Sequence, residues 1–338
     1  MVTDSLYKSQ DEKILLEADS GLFDRSRQKS SRSKADLLEI LVTINLRDEF
    51  KLNKEDLIKE FNKIRKHIGE NNYKDENVRI DEQQKRANLI TKFLIKKISE
   101  ITNKNGFPTQ IDWVGRKWQD EGSVSDIDIT FKSSYLMGFS IKSTRNGFGT
   151  QRNIGKATSI RYLNLDIDKE LKIMIAGLRK ELFKQNESQI RQLSSMSLTS
   201  IKNAKYKFPI IQIIGKKLGE KVQKKAVEQN IEQFNQLSRE RKLNFVSYLF
   251  GLEKKPITNV ICVGETIYFC ENSTFNNLVK ENFIASKSKS NKGFYISSNK
   301  KNYLRIQVNF TNGLGLSPFC ERAFLVKETK KYFVKVVV

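Results

Sequence analysis

Residues 125–143 read "SDIDITFKSSYLMGFSIKS", and this stretch predicts a β-hairpin with one polar face. Polar and apolar residues alternate in "SDIDITF", so Asp126 and Asp128 share one face of the first strand. In "GFSIKS", Ser140 and Lys142 share a face while their apolar neighbours turn to the core. The intervening "KSSYLMG" is long enough for the strands to run back antiparallel. The hairpin therefore places the Asp126 carboxylate beside Ser140 and the Lys142 ammonium.

The charge of the chain indicates a nucleic-acid partner. Its 61 Lys and Arg exceed its 39 Asp and Glu by 22 over 338 residues. Such an excess is commonest in proteins that bind nucleic acid, although ribosomal proteins, histone-like tails and membrane-surface proteins share it. Because 38% of the residues are hydrophobic and 21 are Phe, the chain can build a real core. Its length suits one large domain or two lobes.

The cysteines and the start of the chain favour a cytoplasmic protein. The opening "MVTDSLYKSQDEK" has no apolar signal core, and no stretch approaches the ~18 apolar residues of a membrane span. Cys262, Cys270 and Cys320 form no C-x-x-C pair, so they give no zinc signature and fit a reducing compartment. We expect no membrane partner and buried structural thiols.

The single histidine excludes several classes of site. His67 lies in "FNKIRKHIGENN", which predicts a charged helix with His67 at its surface. Sites built on two or more histidines are therefore excluded. The chain also has no P-loop GxxxxGK[ST] and no GxGxxG between a strand and a helix. Any catalysis must depend on carboxylates and lysines, with or without a metal ion.

The remaining patterns predict an α/β (α+β) fold with a mixed central sheet flanked by helices. "ADLLEILVTINL" (35–46) is apolar on nearly every side and predicts a buried helix. Glu39 in that helix needs either an internal Arg or Lys or a bound cation. Two amphipathic helices and the strand "TQIDWVGRKW" precede the hairpin. The last eighty or so residues are rich in aromatic and β-branched types and predict strands.

The hairpin chemistry suits phosphodiester hydrolysis. A carboxylate and a main-chain carbonyl can hold Mg²⁺, which prefers oxygen ligands. The metal neutralises phosphate charge and lowers the pKa of its bound water. A neighbouring lysine can orient or deprotonate the attacking water. On the motif alone, a surface salt bridge between Asp and Lys remains an alternative.

These residues resemble the PD-(D/E)XK nucleases, and among them the type II restriction endonucleases. Ser125–Asp126 is similar to the family's "PD" at the start of the second strand, and Ser140–Lys142 to its (D/E)xK on the third. "SKADLLEILV" resembles its early helix, with Glu39 as the helix acid. The resemblance covers roughly residues 34–153, so its restriction-endonuclease-like core spans under half the chain.

The resemblance implies roles for these residues. Asp126, Glu39 and the Ile141 carbonyl would bind Mg²⁺, Lys142 would activate the nucleophile, and Ser140 would position water or the metal shell. Ser140 stands where the family has its second acid, so another carboxylate must supply that charge. Glu82 is the alternative to Glu39.

Two further groups of residues are candidate DNA contacts. "STRNGFGTQRN" follows the lysine directly, and its glycines allow the main chain to approach DNA, unless it is an ordinary connection. The alternation in "RIQVNFTNG" predicts a polar strand face that reads base edges, unless the face is merely solvated. The candidates are Arg145, Thr150, Arg152 and Asn153 in the first group, and Arg305, Gln307, Asn309 and Asn312 in the second.

Together these observations predict an N-terminal arm (1–33), a catalytic nuclease core with inserted helices (34–165), and a helical linker with a β-rich DNA-recognition lobe (166–338). The family implies cleavage of double-stranded DNA at a short specific sequence, a homodimer and a cognate DNA methyltransferase. A repair or defence nuclease without sequence specificity and a non-catalytic DNA-binding protein are the alternatives.

Overall fold

The chain folds into two units that the polypeptide enters more than once. The six-stranded unit holds residues 27–151, 243–281 and 325–338, and the five-stranded unit holds residues 152–242 and 282–324. Neither is one continuous range, whereas the sequence analysis expected contiguous ranges. The computed structural model describes residues 25–70, 76–114, 125–144, 147–149, 151–155, 158–166, 209–252, 255–290, 292–310 and 319–336.

Three helices precede the first strand, as predicted. Helix α1 spans Arg25–Glu49, α2 spans Glu55–Glu70 and α3 spans Glu76–Asn105. Helix α1 contains the apolar run 35–46 and begins inside the range expected to be an arm. Within the described ranges, no helix is both long and apolar enough to cross a membrane.

The six-stranded sheet contains the predicted hairpin. Its order is β1-β2-β3-β5-β6-β11, and only β3 and β5 are parallel neighbours. The sheet is therefore mixed, and the chain is a mixed α and β protein, as predicted. The strands are β1 (Pro108–Trp113), β2 (Ile127–Phe131), β3 (Leu136–Thr144), β5 (Ile257–Val263), β6 (Thr266–Glu271) and β11 (Val334–Val336).

One face of this sheet packs against α1 and α3 to form the core of the unit. Because strand residues alternate, β2 directs Ile127 and Ile129 to this face and Asp128 to the other. Burial of these apolar side chains is the main force holding the helices on the sheet. The helices contribute Leu37, Leu41, Val42, Ala87, Ile90, Leu94 and Ile98, and the strands contribute Ile111, Phe139, Ile141 and Val260.

The parallel pairing of β3 with β5 requires a long connection, because parallel strands cannot be joined by a tight turn. The chain between these strands includes much of the five-stranded unit and helix α5 (Arg239–Phe250). Phe245 and Phe250 of α5 are fully buried. Phe250 stacks on Phe275 of the 3₁₀ helix Asn272–Lys280, with ring centroids 4.5 Å apart.

The five-stranded unit has the sheet order β4-β10-β9-β8-β7. Helix α4 (Pro209–Gln236) contacts strands of this sheet and buries Val222, Ala226, Val227 and Phe234. The apolar stretch "FPIIQIIG" (208–215) forms the start of this helix from Pro209 onward. The strands are β4 (Arg152–Ile154), β7 (Ile284–Lys287), β8 (Gly293–Ser298), β9 (Lys301–Phe310) and β10 (Phe319–Leu325).

Amide side chains of α4 satisfy buried polar groups of this sheet. Asn235 pairs with both main-chain groups of Ala285, accepting from its N–H at 2.8 Å and donating to its carbonyl at 3.0 Å. Gln223 donates to the Val308 carbonyl at 2.9 Å. Buried polar groups cost free energy unless they are hydrogen-bonded. These hydrogen bonds, in addition to the apolar packing, therefore fix the position of α4 on the sheet.

Candidate active site

The Asp126 carboxylate lies where β2 begins, beside the middle of β3. Its Oδ2 accepts a hydrogen bond from the Ile141 main-chain N–H at 2.6 Å and one from the Ser140 hydroxyl at 3.2 Å. Its own N–H donates to the Phe139 carbonyl at 2.7 Å. The predicted juxtaposition of Asp126 with Ser140 across an antiparallel hairpin is therefore confirmed. Two donors on one oxygen hold the carboxylate in a fixed orientation.

Lys142 lies two residues beyond Ser140 on β3 and so shares its face of the sheet. Its ammonium donates a hydrogen bond to the Gln151 carbonyl. This contact ties Lys142 to the segment that follows the glycine-rich loop, and Gln151 itself is buried. This partner could not be predicted from residue types, because a main-chain carbonyl is present at every position.

Glu39 is buried, with 7% of its surface exposed, as its place in an apolar helix predicted. Its Oε2 accepts a hydrogen bond from the Trp113 indole N–H at 3.0 Å. Trp113 pairs in register with Ile127, the residue after Asp126, and the Val114 N–H donates to the Asp126 carbonyl at 2.9 Å. Glu39 is thereby linked to the strand end that carries Asp126. An indole was not among the partners expected for it.

Glu82, the alternative helix acid, has a different environment. It lies on α3 with 37% of its side chain exposed, and its carboxylate pairs with Arg86 at 2.6 Å, one turn along the same helix. Such a pair is typical of a helix surface. The two candidate helix acids therefore differ in environment: Glu39 is buried beside the Trp113 indole, whereas Glu82 is partly exposed beside Arg86.

Asp128 has a lysine partner that the sequence analysis did not find. Lys255, 127 residues along the chain, places its ammonium 2.9 and 2.8 Å from the two carboxylate oxygens of Asp128. The Ser125 hydroxyl adds a hydrogen bond at 2.6 Å. A Cβ on Gly138 would lie 2.8 Å from the Ser125 Cβ and 3.1 Å from Asp128 Oδ1, so only glycine fits beneath this group. Asp128 therefore belongs to a structural ion pair with Lys255.

Asn259 is a second residue that the sequence analysis missed. It pairs in register with Ser140 on the neighbouring parallel strand, so both side chains lie on the same face. Asn259 is 4% exposed, and its Nδ2 has no hydrogen-bond partner among the described residues. Asn259 could have been found as a polar residue inside the apolar run "ITNVICV". A buried amide without a hydrogen-bond partner costs free energy, so its presence in such a strand indicates a functional or structural role.

Two cysteines are buried in the same sheet, as predicted, and neither is poised as a nucleophile. Burial raises the pKa of the Cys270 thiol to about 11, and burial also raises the pKa of Cys262 against an opposing effect of Arg86. A thiol with a raised pKa stays protonated near neutral pH and is unreactive. The side chain of Cys320 lies outside the description.

The candidate DNA contacts are only partly described. Arg145, Thr150 and Asn312 lie outside the described residues. Arg152 and Asn153, expected in a loop, form strand β4 with Ile154, and Asn153 pairs in register with Arg322 of β10. The structure places both in the five-stranded unit, whereas Asp126, Ser140, Lys142 and Glu39 belong to the six-stranded unit.

Strand β9 has the alternation predicted for it. Ile306 and Val308 are fully buried, whereas Arg305, Gln307 and Asn309 are partly exposed. The Arg305 guanidinium donates to the Gln307 side-chain carbonyl at 3.1 Å and lies over the Phe324 ring, 5.4 Å from its centroid. Tyr295 pairs in register with Arg305. This face therefore combines arginine, amide and aromatic side chains, all of which can contact bases or phosphates.

In the described part of the chain, no group of three or more His, Cys, Asp or Glu side chains is arranged to hold a metal ion. A zinc or calcium site built wholly from such side chains is thus absent from these residues. Mg²⁺ makes a smaller demand, because it retains several waters and is held by one or two carboxylates. The Asp126 carboxylate, which is hydrogen-bonded to the Ile141 main chain, is a group of that kind.

Comparison of the chain with models of known protein families, with curated protein sequences and with solved structures finds no match.

Proposed function

We propose that this protein is a Mg²⁺-dependent type II restriction endonuclease of the PD-(D/E)XK kind, which cleaves double-stranded DNA at a short specific sequence. The observation that carries the proposal is the hydrogen bonding of Asp126 to Ser140 and to the Ile141 N–H. An acid at the start of the second strand thereby meets S-x-K on the third. The order of helix acid, strand acid and lysine along the chain is the order that the resemblance implies.

The residues have distinct proposed roles. Asp126, the Ile141 carbonyl and Glu39 would hold Mg²⁺, which supplies charge neutralisation at the phosphate and a more acidic bound water. Lys142 orients the attacking water or takes its proton, and its contact with the Gln151 carbonyl presets the side chain. Ser140 stabilises the Asp126 carboxylate and positions water beside it. Trp113 orients Glu39 through its indole N–H.

The polar face of the five-stranded sheet is the proposed recognition surface. Arginine reads guanine and Asn or Gln reads adenine in the major groove, whereas lysine and arginine also bind phosphates without sequence preference. Arg305, Gln307 and Asn309 on β9 supply the first kind of group, and Arg152 and Asn153 on β4 add charge and an amide. A homodimer and a cognate methyltransferase, which would protect the host DNA, follow from the restriction-enzyme proposal.

A non-catalytic DNA-binding protein is the second candidate function. Two observations favour it: the Lys142 ammonium is bonded to a main-chain carbonyl, and Asp126 accepts from a main-chain N–H, as purely structural side chains would. A nuclease of the same superfamily without sequence specificity would share the site and differ only in its products.

Digestion of unmethylated plasmid DNA tests these alternatives. The purified protein, Lys142→Ala and Asp126→Asn are incubated with Mg²⁺ or with EDTA, beside Lys92→Ala, an exposed lysine of α3, as the matched control. We expect discrete bands with wild type and Lys92→Ala in Mg²⁺, and none with the site variants or in EDTA. A smear assigns a nonspecific nuclease. If the protein binds DNA from several sources but cleaves none of it, the nuclease proposal is refuted and the non-catalytic DNA-binding protein is supported.

A further inference from the structure

A basic patch lies at the far edge of the six-stranded sheet and is used by none of the roles above. It consists of Lys330, Lys331 and Lys335 with the aromatic side chains Phe148 and Tyr268, and we call it the C-terminal patch. Lys330 ends the short helix α6 (Lys327–Lys330), and Lys335 lies on the edge strand β11. All three lysines are exposed.

Strand register connects this patch to the proposed catalytic lysine. Lys142 pairs with Ile261, Ile261 with Tyr268, and Tyr268 with Lys335, so the four residues form one row across four neighbouring strands on one face. Strands lie about 4.8 Å apart, so Lys335 is displaced by about 14 Å from Lys142 at the backbone. A B-DNA duplex rises about 3.4 Å per base pair, so for a duplex whose axis lies along this row the displacement corresponds to about four base pairs.

The loop after β3 is anchored at the patch by aromatic contacts. The Phe148 ring meets Tyr268 edge-on at 4.9 Å and Phe333 at 5.2 Å between centroids. Gly149 has φ +65°, and a Cβ there would lie 2.7 Å from the Thr144 Cγ2, so the turn is closed tightly against the end of β3. The strand that carries Lys142 therefore leads directly to the aromatic base of the patch.

Two lysines of the patch lie against aromatic rings. The Lys330 ammonium lies over the Phe148 ring at 5.7 Å and the Lys331 ammonium lies over the Tyr332 ring at 5.3 Å from the centroids. Some other lysines of the same unit, Lys54, Lys63 and Lys255, lie instead beside a carboxylate. Among the described residues, none of the three patch lysines has a carboxylate within ion-pair distance. An aromatic face orients an ammonium without neutralising it.

We propose that the C-terminal patch binds the phosphate backbone of duplex DNA about four base pairs from the bond that is cut. The proposal rests on the proposed function, because that function supplies the DNA and its position at Lys142. Exposed lysines that are not neutralised by protein carboxylates release counterions from DNA when they meet phosphates, which gives affinity without sequence preference. The patch thus supplies general affinity, whereas the β9 face supplies specificity.

The salt dependence of DNA binding tests this proposal. The full chain is titrated with a random-sequence duplex of about 30 base pairs in EDTA, so that cleavage does not interfere. Each phosphate contact contributes about 0.9 to the slope of log K against log salt. Replacing the three patch lysines by alanine should lower the slope by about 2.7 and weaken binding roughly tenfold or more at low salt. The triple Lys→Arg variant should restore both.

The matched control replaces three exposed lysines of α2, whose apolar side chains pack toward the opposite face of the sheet: Lys59, Lys63 and Lys66. This control should bind like wild type. Lys335→Ala alone, which removes one exposed side chain, should lower the slope by about 0.9. This single variant replaces the triple variant in the test if the triple variant fails to fold. Equal slopes of log K against log salt for wild type and both patch variants overturn the patch proposal. The proposed nuclease function is still supported in that case if wild type cuts plasmid DNA into discrete bands.

Two further outcomes are decisive. A wild-type protein that binds no duplex at any salt concentration overturns both this proposal and the proposed function. Binding to vesicles of anionic lipid that is lost in the patch variants, with DNA affinity unchanged, assigns the patch to a membrane surface and overturns the DNA proposal.

Discussion

Glu321 offers the sharpest quantitative prediction. It is 1% exposed on β10, and burial raises the pKa of its carboxyl from the ordinary 4.5 to about 8, against an opposing hydrogen bond from Asn230. The Asn230 amide donates to Glu321 Oε1 at 2.6 Å. Glu321 Oε2 and Asn230 Oδ1 both lack partners among the described residues, and a proton on Glu321 is the group that would join them. We therefore expect a neutral acid paired with an amide.

The sign and size of the effect follow from the two pKa values. Between pH 4.5 and about 8 the folded protein holds a proton on Glu321 that the unfolded chain has lost. The stability that this group contributes is fully present below pH 4.5, falls as the pH rises toward about 8, and then levels off. At 1.36 kcal/mol per pKa unit, the loss over that interval is about 5 kcal/mol.

Glu321→Gln replaces the acid by a neutral amide of the same shape, whose N–H₂ can donate to the Asn230 Oδ1. Its free energy of unfolding should exceed that of wild type by a margin that grows by several kcal/mol from pH 5 to pH 8. Urea unfolding is followed by far-UV circular dichroism, with hydrogen exchange of α4 amides to identify the five-stranded unit. Glu232→Gln, at an exposed position of α4, is the matched control and should show no growing margin. A constant difference between wild type and Glu321→Gln across this range would refute the neutral-acid reasoning.

Two predictions concern the six-stranded unit. Lys255→Met leaves the Asp128 carboxylate without its lysine partner at a site where both side chains are about four-fifths buried. The free energy of unfolding, measured by chemical denaturation, should therefore fall by a few kcal/mol. Adding Asp128→Asn should recover part of that loss. If Lys255→Met with Asp128→Asn is no more stable than Lys255→Met alone, the unpaired Asp128 carboxylate is not the cause of the lost stability. Trp113→Phe removes the N–H donor to Glu39, and should raise the Mg²⁺ concentration needed for half-maximal cleavage while Glu39→Gln raises it further. Unchanged Mg²⁺ dependence in both variants would exclude Glu39 from the metal site.

The hairpin could be read from the sequence because its information is local. Alternation of apolar and polar residues fixes which side chains share a face, and the length of the turn permits antiparallel pairing, so Asp126 and Ser140 were predicted to meet. The burial of Glu39 was equally local, since its helix is apolar on nearly every side. The alternation around Ile306 followed from the same period of two, whereas the burial of Cys262 was expected from the absence of C-x-x-C pairs.

Contacts between distant segments could not be predicted, because residue patterns do not identify which strands become neighbours. Lys255 reaches Asp128 only because β5 pairs in parallel with β3, after the chain has passed through the five-stranded unit. Asn259 lies beside Ser140 for the same reason. The glycine-rich connection offered no alternation that would predict the strand containing Arg152.

The sequence by itself determined the N-terminal helices, the polar hairpin, the β-rich C-terminal region and the strongly basic character of this protein, because periodicity and composition act over a few residues. Only the tertiary structure decided how the C-terminal strands are divided between two sheets, and that Lys335 shares a row with Lys142. It also decided that Glu321 is buried opposite Asn230. Those outcomes depend on strand register and on the burial of one element by another, which are properties of the whole packed unit.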